Sequence, residues 1–259
     1  MGVPVLRLGD ARLEWELEGR PIPERRVETW LRGAADAVAT WFDGFPTDAA
    51  VRVVGESGAS VRFGQANSGD PPEVTVWVGA DATAATLRSD WVLVHEMLHL
   101  GFPGMPSRHA WLYEGMATYM EPLARAAGGL RSERSAWTAL ANSLSDGEPR
   151  RGDGGLEGPR NWARTYWGGA LWCFAADVGL RQASGGEFGL REVAGRFAHA
   201  GGTLREYWPI QRVIAGLDEV SGTSVCGELY DRHAHDAVPF GFDALWREGR
   251  AVGLVPLSA

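Results

Sequence analysis

The first ninety residues alternate between strand-like and helix-like patterns. Apolar and polar residues alternate at 3–8 and 13–17 around a Gly9-Asp10 turn, which predicts a β-hairpin. Short apolar runs at 51–54, 61–63 and 74–78 predict three further strands. Between the hairpin and these runs, apolar residues recur at helical spacing and predict one amphipathic helix: Val27, Trp30, Leu31, Ala34, Val38 and Trp41.

From residue 91 onward the pattern is mostly helical. Residues 91–100 and 111–121 are typical of buried helices, whereas 145–161 is a loop rich in glycine, proline and charge. We therefore predict an α+β chain. Its amino-terminal lobe, 1–104, contains a mixed sheet, and its second lobe, 105–259, is mostly helical.

Three polar residues interrupt the apolar helix at 91–100. His95, Glu96 and His99 form the sequence HEMLH, and the two histidines lie one helical turn apart on the same face. Burying such groups without partners costs several kcal/mol. The pattern therefore favours two imidazole ligands for one metal ion with a glutamate beside it. The alternative is a core histidine whose hydrogen bonds are satisfied within the protein, with a solvated glutamate.

The next helix supplies a carboxylate. Its apolar residues fall at positions 112, 116, 119, 120 and 123, and Glu114 projects away from much of that stripe. A catalytic Zn²⁺ site keeps three protein ligands and one open position, and two histidines with one carboxylate form a recurring set. Glu114 is the candidate third ligand to Zn²⁺.

The same helix resembles a family motif. Gluzincin metallopeptidases, especially the aminopeptidase N and glycyl aminopeptidase families, carry Trp-Leu-x-Glu-Gly-(Phe)-Ala-x-Tyr here, and this chain matches at Trp111, Leu112, Glu114, Gly115, Ala117 and Tyr119. The resemblance implies a thermolysin-like fold with zinc at the junction of the lobes. It also implies Glu114 as zinc ligand and Glu121 as a second-shell group. The interval from His99 to Glu114 is shorter than in those families.

A later block resembles the Tyr-x-Lys-Gly-Ala segment of these families. It begins at Tyr166, and the resemblance implies that the Tyr166 hydroxyl stabilises the tetrahedral oxyanion, although Gly168 stands where lysine is common. The alternative is an aromatic residue that only packs on the core. The oxyanion donor would then be His109, otherwise read as a surface residue, or a residue of the 145–161 loop.

In the gluzincin plan, substrate backbone pairs with an edge strand above the metal. The candidate edge is 62–67, with Gly64, Gln65 and Ala66 as substrate-binding residues, and the alternative is a plain hairpin strand. The Gly-Ala-Met-Glu-Asn segment that binds the substrate amine in the aminopeptidase N family is not found. Cleavage at the amino terminus or within a peptide is therefore left open.

These parts predict a zinc-dependent peptidase acting on peptides or proteins, with Glu96 as the general base. Two alternatives stay open. The chain could be a catalytically inactive zinc-binding protein of the same fold, or a zinc hydrolase of a non-peptide amide or ester, because zinc-activated water also attacks those bonds.

Composition excludes some partners. The 33 acidic and 25 basic residues give a net charge of -8, and no basic cluster is present, which argues against nucleic acid or an anionic membrane surface. No apolar run approaches the roughly 20 residues needed to cross a bilayer, and the amino end lacks the pattern of a signal peptide. We expect a soluble protein. The sequence leaves its cellular compartment undetermined, with the periplasm or secretion as the expectation if a signal peptide has been removed.

Overall fold

The strands form one mixed sheet near the amino-terminal end of the chain. In a computed structural model, which describes residues 3–158 and 161–256, the spatial order is β1-β2-β3-β5-β4. The outer pairs, β1 with β2 and β4 with β5, are antiparallel, and β2-β3 and β3-β5 are parallel. The strands are β1 (Val5–Leu8), β2 (Ala11–Gly19), β3 (Ala49–Glu56), β4 (Val61–Asn67) and β5 (Glu73–Gly79). The predicted hairpin and all three later strands are present, and β4 lies at one edge.

Helix α1 (Glu24–Phe42) makes the crossover between β2 and β3. Two parallel neighbours cannot be joined by a tight turn, so a helix-length connection is needed here. All six apolar positions predicted for this helix are buried. The helix ends at Asp43, which adopts the left-handed conformation at a φ of 58°.

The rest of the described chain is mostly helical, as predicted. The predicted helix at 91–100 is α3 (Val92–Leu98) continued by a 3-10 turn (His99–Gly101). Among the described residues no helix is both long and apolar enough to span a membrane. The other helices are α2 (Ala84–Ser89), α4 (Ala110–Ala127), α5 (Glu133–Ser143), α6 (Gly169–Ala183), α7 (Leu190–His199), α8 (Ile210–Ser221), α9 (Val225–His233) and α10 (Phe242–Ala251).

Helix α3 is fixed at its beginning by side chains. The Asp90 carboxylate accepts hydrogen bonds from the backbone amides of Val92 (3.0 Å) and Leu93 (3.1 Å), which satisfies two of the free donors at the helix start. Arg125 of α4 donates to the Ser89 carbonyl at 2.9 Å. The Arg125 contact attaches the end of α2, directly before α3, to α4.

Two glycines let α4 approach the start of α6 closely. A Cβ on Gly115 would lie 2.4 Å from the Cα of Gly169, so no larger residue fits without moving one of the two helices. The five residues before α6, Arg164–Gly168, form a π-helical turn that packs against α4. Gly115 of the family-like motif therefore has a packing role, and it brings Tyr166 towards the α4 side of the molecule.

One continuous hydrophobic cluster contains buried residues from the strands and from the helices. The α+β class and the mixed sheet are confirmed. The division into lobes at residue 104 stays a prediction.

Candidate metal centre

The three predicted ligands come together in the structure. His95 lies on α3, His99 begins the 3-10 turn that follows α3, and Glu114 lies on α4; their donor atoms all lie within 4.8 Å of one another. Glu114 Oε2 is 3.2 Å from His95 Nε2 and 3.8 Å from His99 Nε2. Ligands about 2.0–2.2 Å from a tetrahedral Zn²⁺ lie about 3.4 Å apart, and both separations from Glu114 are close to that value.

The charge states of these residues also suit a metal ion. Burial lowers the pKa of His99 to about 3, which keeps its imidazole neutral and able to bind metal at ordinary pH. Burial acts to raise the pKa of Glu114, but the hydrogen bond to His95 and the nearby histidines outweigh it and lower that pKa. A neutral imidazole at His99 and an ionised carboxylate at Glu114 are groups that Zn²⁺ accepts as ligands.

Glu96 lies beside this group with a different charge state. Burial, with a smaller contribution from the charge of Glu114, raises the pKa of Glu96 to about 7. Its Cγ faces Gly64 of β4 so closely that a Cβ on the glycine would lie 2.5 Å away. A carboxylate with a pKa near neutrality is suited to accept and return a proton.

An open cleft of about 550 Å³ lies over these residues. Its walls come from β4, α3, α4, α5 and the π-helical turn. The three residues predicted to bind substrate backbone, Gly64, Gln65 and Ala66, line this cleft on the edge strand. The structure thus brings the predicted edge beside the predicted metal ligands, and its role in substrate binding stays a prediction.

Tyr166 lies in the π-helical turn and lines the same cleft. Burial, together with the charges of Glu114 and Glu96, raises its pKa to about 12. The phenol therefore keeps its proton and can donate a hydrogen bond at neutral pH. Its ring stacks on Trp162 at a centroid distance of 5.2 Å. Irregular π turns within helices are often found at functional sites.

Glu121 also lines the cleft, as does Arg131. Its carboxylate accepts a hydrogen bond from Arg125 Nη1 at 2.9 Å, four residues along α4. Burial raises the pKa of Glu121 despite this cation. It lines the same cleft as the candidate ligands, and its predicted role of supporting a ligand without binding the metal stays a prediction.

Four aromatic residues at the cleft were not singled out from the sequence. Tyr113, which precedes Glu114, stacks on His99. Phe63, Trp91 and Trp162 line the cleft and are 57%, 53% and 67% exposed. For Trp91 the reading of a wholly buried helix flank was wrong, because its ring lies at the cleft rim with an edge-to-face contact to His95. The sequence did hold a sign of this position, because residues four apart on a helix share a face and Trp91 precedes His95 by four.

The reading of His109 as a surface residue was also wrong. The residue is only 3% exposed, and its Nδ1 lies 2.7 Å from Glu157 Oε1, which also accepts a hydrogen bond from Trp111 Nε1 at 3.0 Å. Glu157 belongs to the 145–161 segment, so these contacts attach that segment to the start of α4. His109 is not among the residues that line the cleft in the described part of the chain.

Comparisons with known proteins give structural matches alone. No protein-family model matches the chain, and no curated protein sequence matches it. An aminopeptidase N family protein from Idiomarina loihiensis superposes with a TM-score of 0.65 at 17% identity, over 95% of this chain and 48% of that one. The M1 zinc metallopeptidase from Deinococcus radiodurans gives a TM-score of 0.52 at 20% identity, over 89% and 50%. A mutant of the latter bound to a Tyr-Ser-Ala substrate gives 0.52 at 18%, over 91% and 51%.

These matches establish the fold. The chain spans about half the length of the structures it matches, which are 48% to 51% covered. Its mixed sheet and the helices that follow have the arrangement found in the matched part of M1 zinc metallopeptidases.

Proposed function

We propose that this chain is a zinc-dependent peptidase of the gluzincin type that hydrolyses peptide bonds with Glu96 as general base. The observation that carries the proposal is the meeting of three elements in one cleft. They are a three-donor group that fits Zn²⁺, a buried carboxylate with a pKa near 7, and a protonated phenol. The M1 zinc metallopeptidase fold supports it.

His95, His99 and Glu114 would hold the ion. When bound, Zn²⁺ brings the pKa of its water to about 7 and polarises the scissile carbonyl. Glu96 takes the proton of the attacking water and passes it to the leaving amine. Its carboxylate lines the cleft beside the three donors, and its Cγ lies against Gly64 of the edge strand.

Tyr166 donates its hydroxyl proton in a hydrogen bond to the oxyanion that forms as the carbonyl carbon becomes tetrahedral. A preorganised donor of this kind contributes about 3 to 4 kcal/mol in comparable sites. The phenol stays protonated throughout, since its pKa is about 12. The packing of Tyr166 against Trp162 restricts the ring before substrate binds.

We assign a peptide as the substrate because β4 is an edge strand of the sheet and lines the cleft. An edge strand offers free backbone donors and acceptors to an added strand. A Deinococcus radiodurans M1 metallopeptidase mutant with this fold has been seen with a Tyr-Ser-Ala substrate. The exposed rings of Phe63, Trp91 and Trp162 give the cleft an apolar rim, so we expect large apolar side chains next to the cleaved bond.

The test is cleavage of a peptide library read by mass spectrometry, with the wild-type chain and Glu96→Gln compared after zinc loading. The glutamine occupies the same space but cannot take a proton, so we expect unchanged zinc content and no turnover. Glu28→Gln makes the same change on the exposed face of α1 and serves as the control. The position of the cleaved bond also separates amino-terminal from internal cleavage.

Three results would contradict the proposal. Turnover by Glu96→Gln near the wild-type level would remove Glu96 as the base. Zinc binding without cleavage of any peptide would favour the inactive zinc-binding protein. Cleavage of esters or non-peptide amides alone would favour the other hydrolase.

A further inference from the structure

The ring of Tyr113 lies flat on the ring of His99. Their centroids are 3.9 Å apart and their planes differ by 6°. The His99 side chain is almost fully buried, at 2% exposure for the residue, and Tyr113 forms part of the cleft wall beside it. Tyr113 therefore covers one face of the imidazole.

The second ring nitrogen of His99 has no protein hydrogen-bond partner among the described residues. A histidine that binds metal through one ring nitrogen usually donates the other N–H to a carboxylate or a carbonyl, which fixes the orientation of the ring. His99 Nε2 faces Glu114, but its Nδ1 is buried with no hydrogen-bond partner among the described residues. The rotation of a histidine ring about its Cβ–Cγ bond is only weakly restricted on its own. The packing contacts of the ring faces therefore act on the plane of the ring, and the stacked Tyr113 is the parallel one among the described ring contacts of His99.

We infer that Tyr113 is a positioning residue that holds the ring plane of His99 by stacking against one face of the imidazole. The inference rests on the proposed function, because it takes His99 as a zinc ligand. A ring stacked at this distance cannot rotate out of plane without clashing with its neighbour or losing the contact. His95 supports the same orientation from the side, with an edge-to-face contact at 5.1 Å.

The backbone makes this arrangement possible. Tyr113 directly precedes Glu114 on α4, so the helix that supplies the carboxylate ligand also supplies the stacking ring. His99 begins the 3-10 turn after α3. One packing contact between α3 and α4 thus sets both the carboxylate position and the imidazole plane.

The test compares two substitutions at Tyr113 by their zinc affinity. Tyr113→Phe keeps the stacked ring and removes the hydroxyl, whereas Tyr113→Leu keeps an apolar side chain and removes the ring. Affinity is measured by competition with a chelator of known zinc affinity, and Co²⁺ absorption spectra report the ligand geometry. We expect Tyr113→Phe to bind within about threefold of wild type. We expect Tyr113→Leu to bind about 10- to 100-fold more weakly, the usual cost of losing an outer-shell partner.

Controls separate positioning from a general loss of stability. Tyr230→Leu removes another stacked tyrosine, which packs on Trp111 at 6.4 Å, and should leave zinc affinity unchanged. Circular dichroism of the metal-free variants checks folding. If Tyr113→Leu does not fold, Tyr113→Met replaces it, because methionine fills a similar space without a flat ring.

The outcomes differ for the inference and for the proposed function. Equal zinc affinity in Tyr113→Phe and Tyr113→Leu would overturn the positioning role, whether both resemble wild type or both are weakened through the lost hydroxyl. In contrast, no bound zinc in wild type, or unchanged zinc in His99→Ala, would overturn the metal site itself. Loss of affinity only where the ring is lost supports the inference.

Discussion

Gly64 gives a test of the catalytic arrangement that does not alter any reacting group. An added Cβ at this position would lie 2.5 Å from Glu96 Cγ, 3.1 Å from Glu96 Cδ and 2.9 Å from Val92 Cγ1. Carbon atoms in ordinary contact lie about 3.5–4.0 Å apart. Gly64→Ala therefore requires the Glu96 side chain, or the edge strand, to move by about 1 Å.

The size of the effect follows from this displacement. A misplacement of about 1 Å in a catalytic arrangement can cost about 10²-fold in rate. Overpacking costs about 1–3 kcal/mol of stability in a rigid core, and we expect the lower end because β4 is an edge strand and Glu96 can rotate. The new methyl group contacts Glu96 and Val92, neither of which is a proposed ligand, so zinc content should not change.

The assay measures kcat and KM on the best peptide from the library, together with zinc content and the thermal unfolding midpoint. Gly33→Ala is the matched control, because its added Cβ meets only Leu130 at an ordinary 3.7 Å. We expect kcat to fall about 10²-fold in Gly64→Ala and to stay at the wild-type level in Gly33→Ala. A Gly64→Ala enzyme as fast as wild type would refute the reasoning, since the carboxylate position would then not control the rate.

Three further predictions concern the site. Tyr166→Phe should lower kcat about 10²-fold or more with little change in KM or zinc content, and an active variant would assign the oxyanion to another donor. Glu114→Ala should reduce bound zinc below about one ion per chain after dialysis, and unchanged zinc would exclude Glu114 as a ligand. In the metal-free chain, folded Glu96 holds its proton to about pH 7, but unfolded Glu96 loses it near 4.5. The free energy of unfolding of metal-free wild type should thus fall by about 3 kcal/mol relative to that of Glu96→Gln as the pH rises from 4.5 to 7. If urea unfolding gave the same pH dependence of stability for wild type and Glu96→Gln, the raised pKa of Glu96 would be contradicted.

Periodicity predicted the elements well where one face of an element is buried. The helix α1 is an example, because all its apolar positions at helical spacing are in the core. The candidate metal-binding motif HEMLH was also recognisable. Two histidines and a glutamate within five residues of a buried helix destabilise the fold unless they have binding partners. The structure places its donors together with Glu114, from another helix.

Contacts that depend on the packing of distant segments could not be predicted. His109 is buried only because Glu157, 48 residues later, accepts its hydrogen bond. The stacking of Tyr113 on His99 depends on how α3 and α4 pack, which no local pattern records. In the sequence, Trp91 stands in an apolar run and looks like a core residue. Its ring is exposed because it faces the cleft.

The different charge states of two carboxylates in one cleft come from their different surroundings. Glu114 lies within hydrogen-bond reach of His95 and near His99, and these groups overcome the effect of burial and lower its pKa. For Glu96, burial is the dominant influence, and the charge of Glu114 adds to it, so its pKa rises to about 7. Environments that push the pKa values of two neighbouring acids apart are typical of sites where one acid binds or stabilises charge and the other transfers protons. Gly64 leaves room for Glu96 against the edge strand, so this contact would also set the distance between the carboxylate and a substrate that pairs with β4 as proposed.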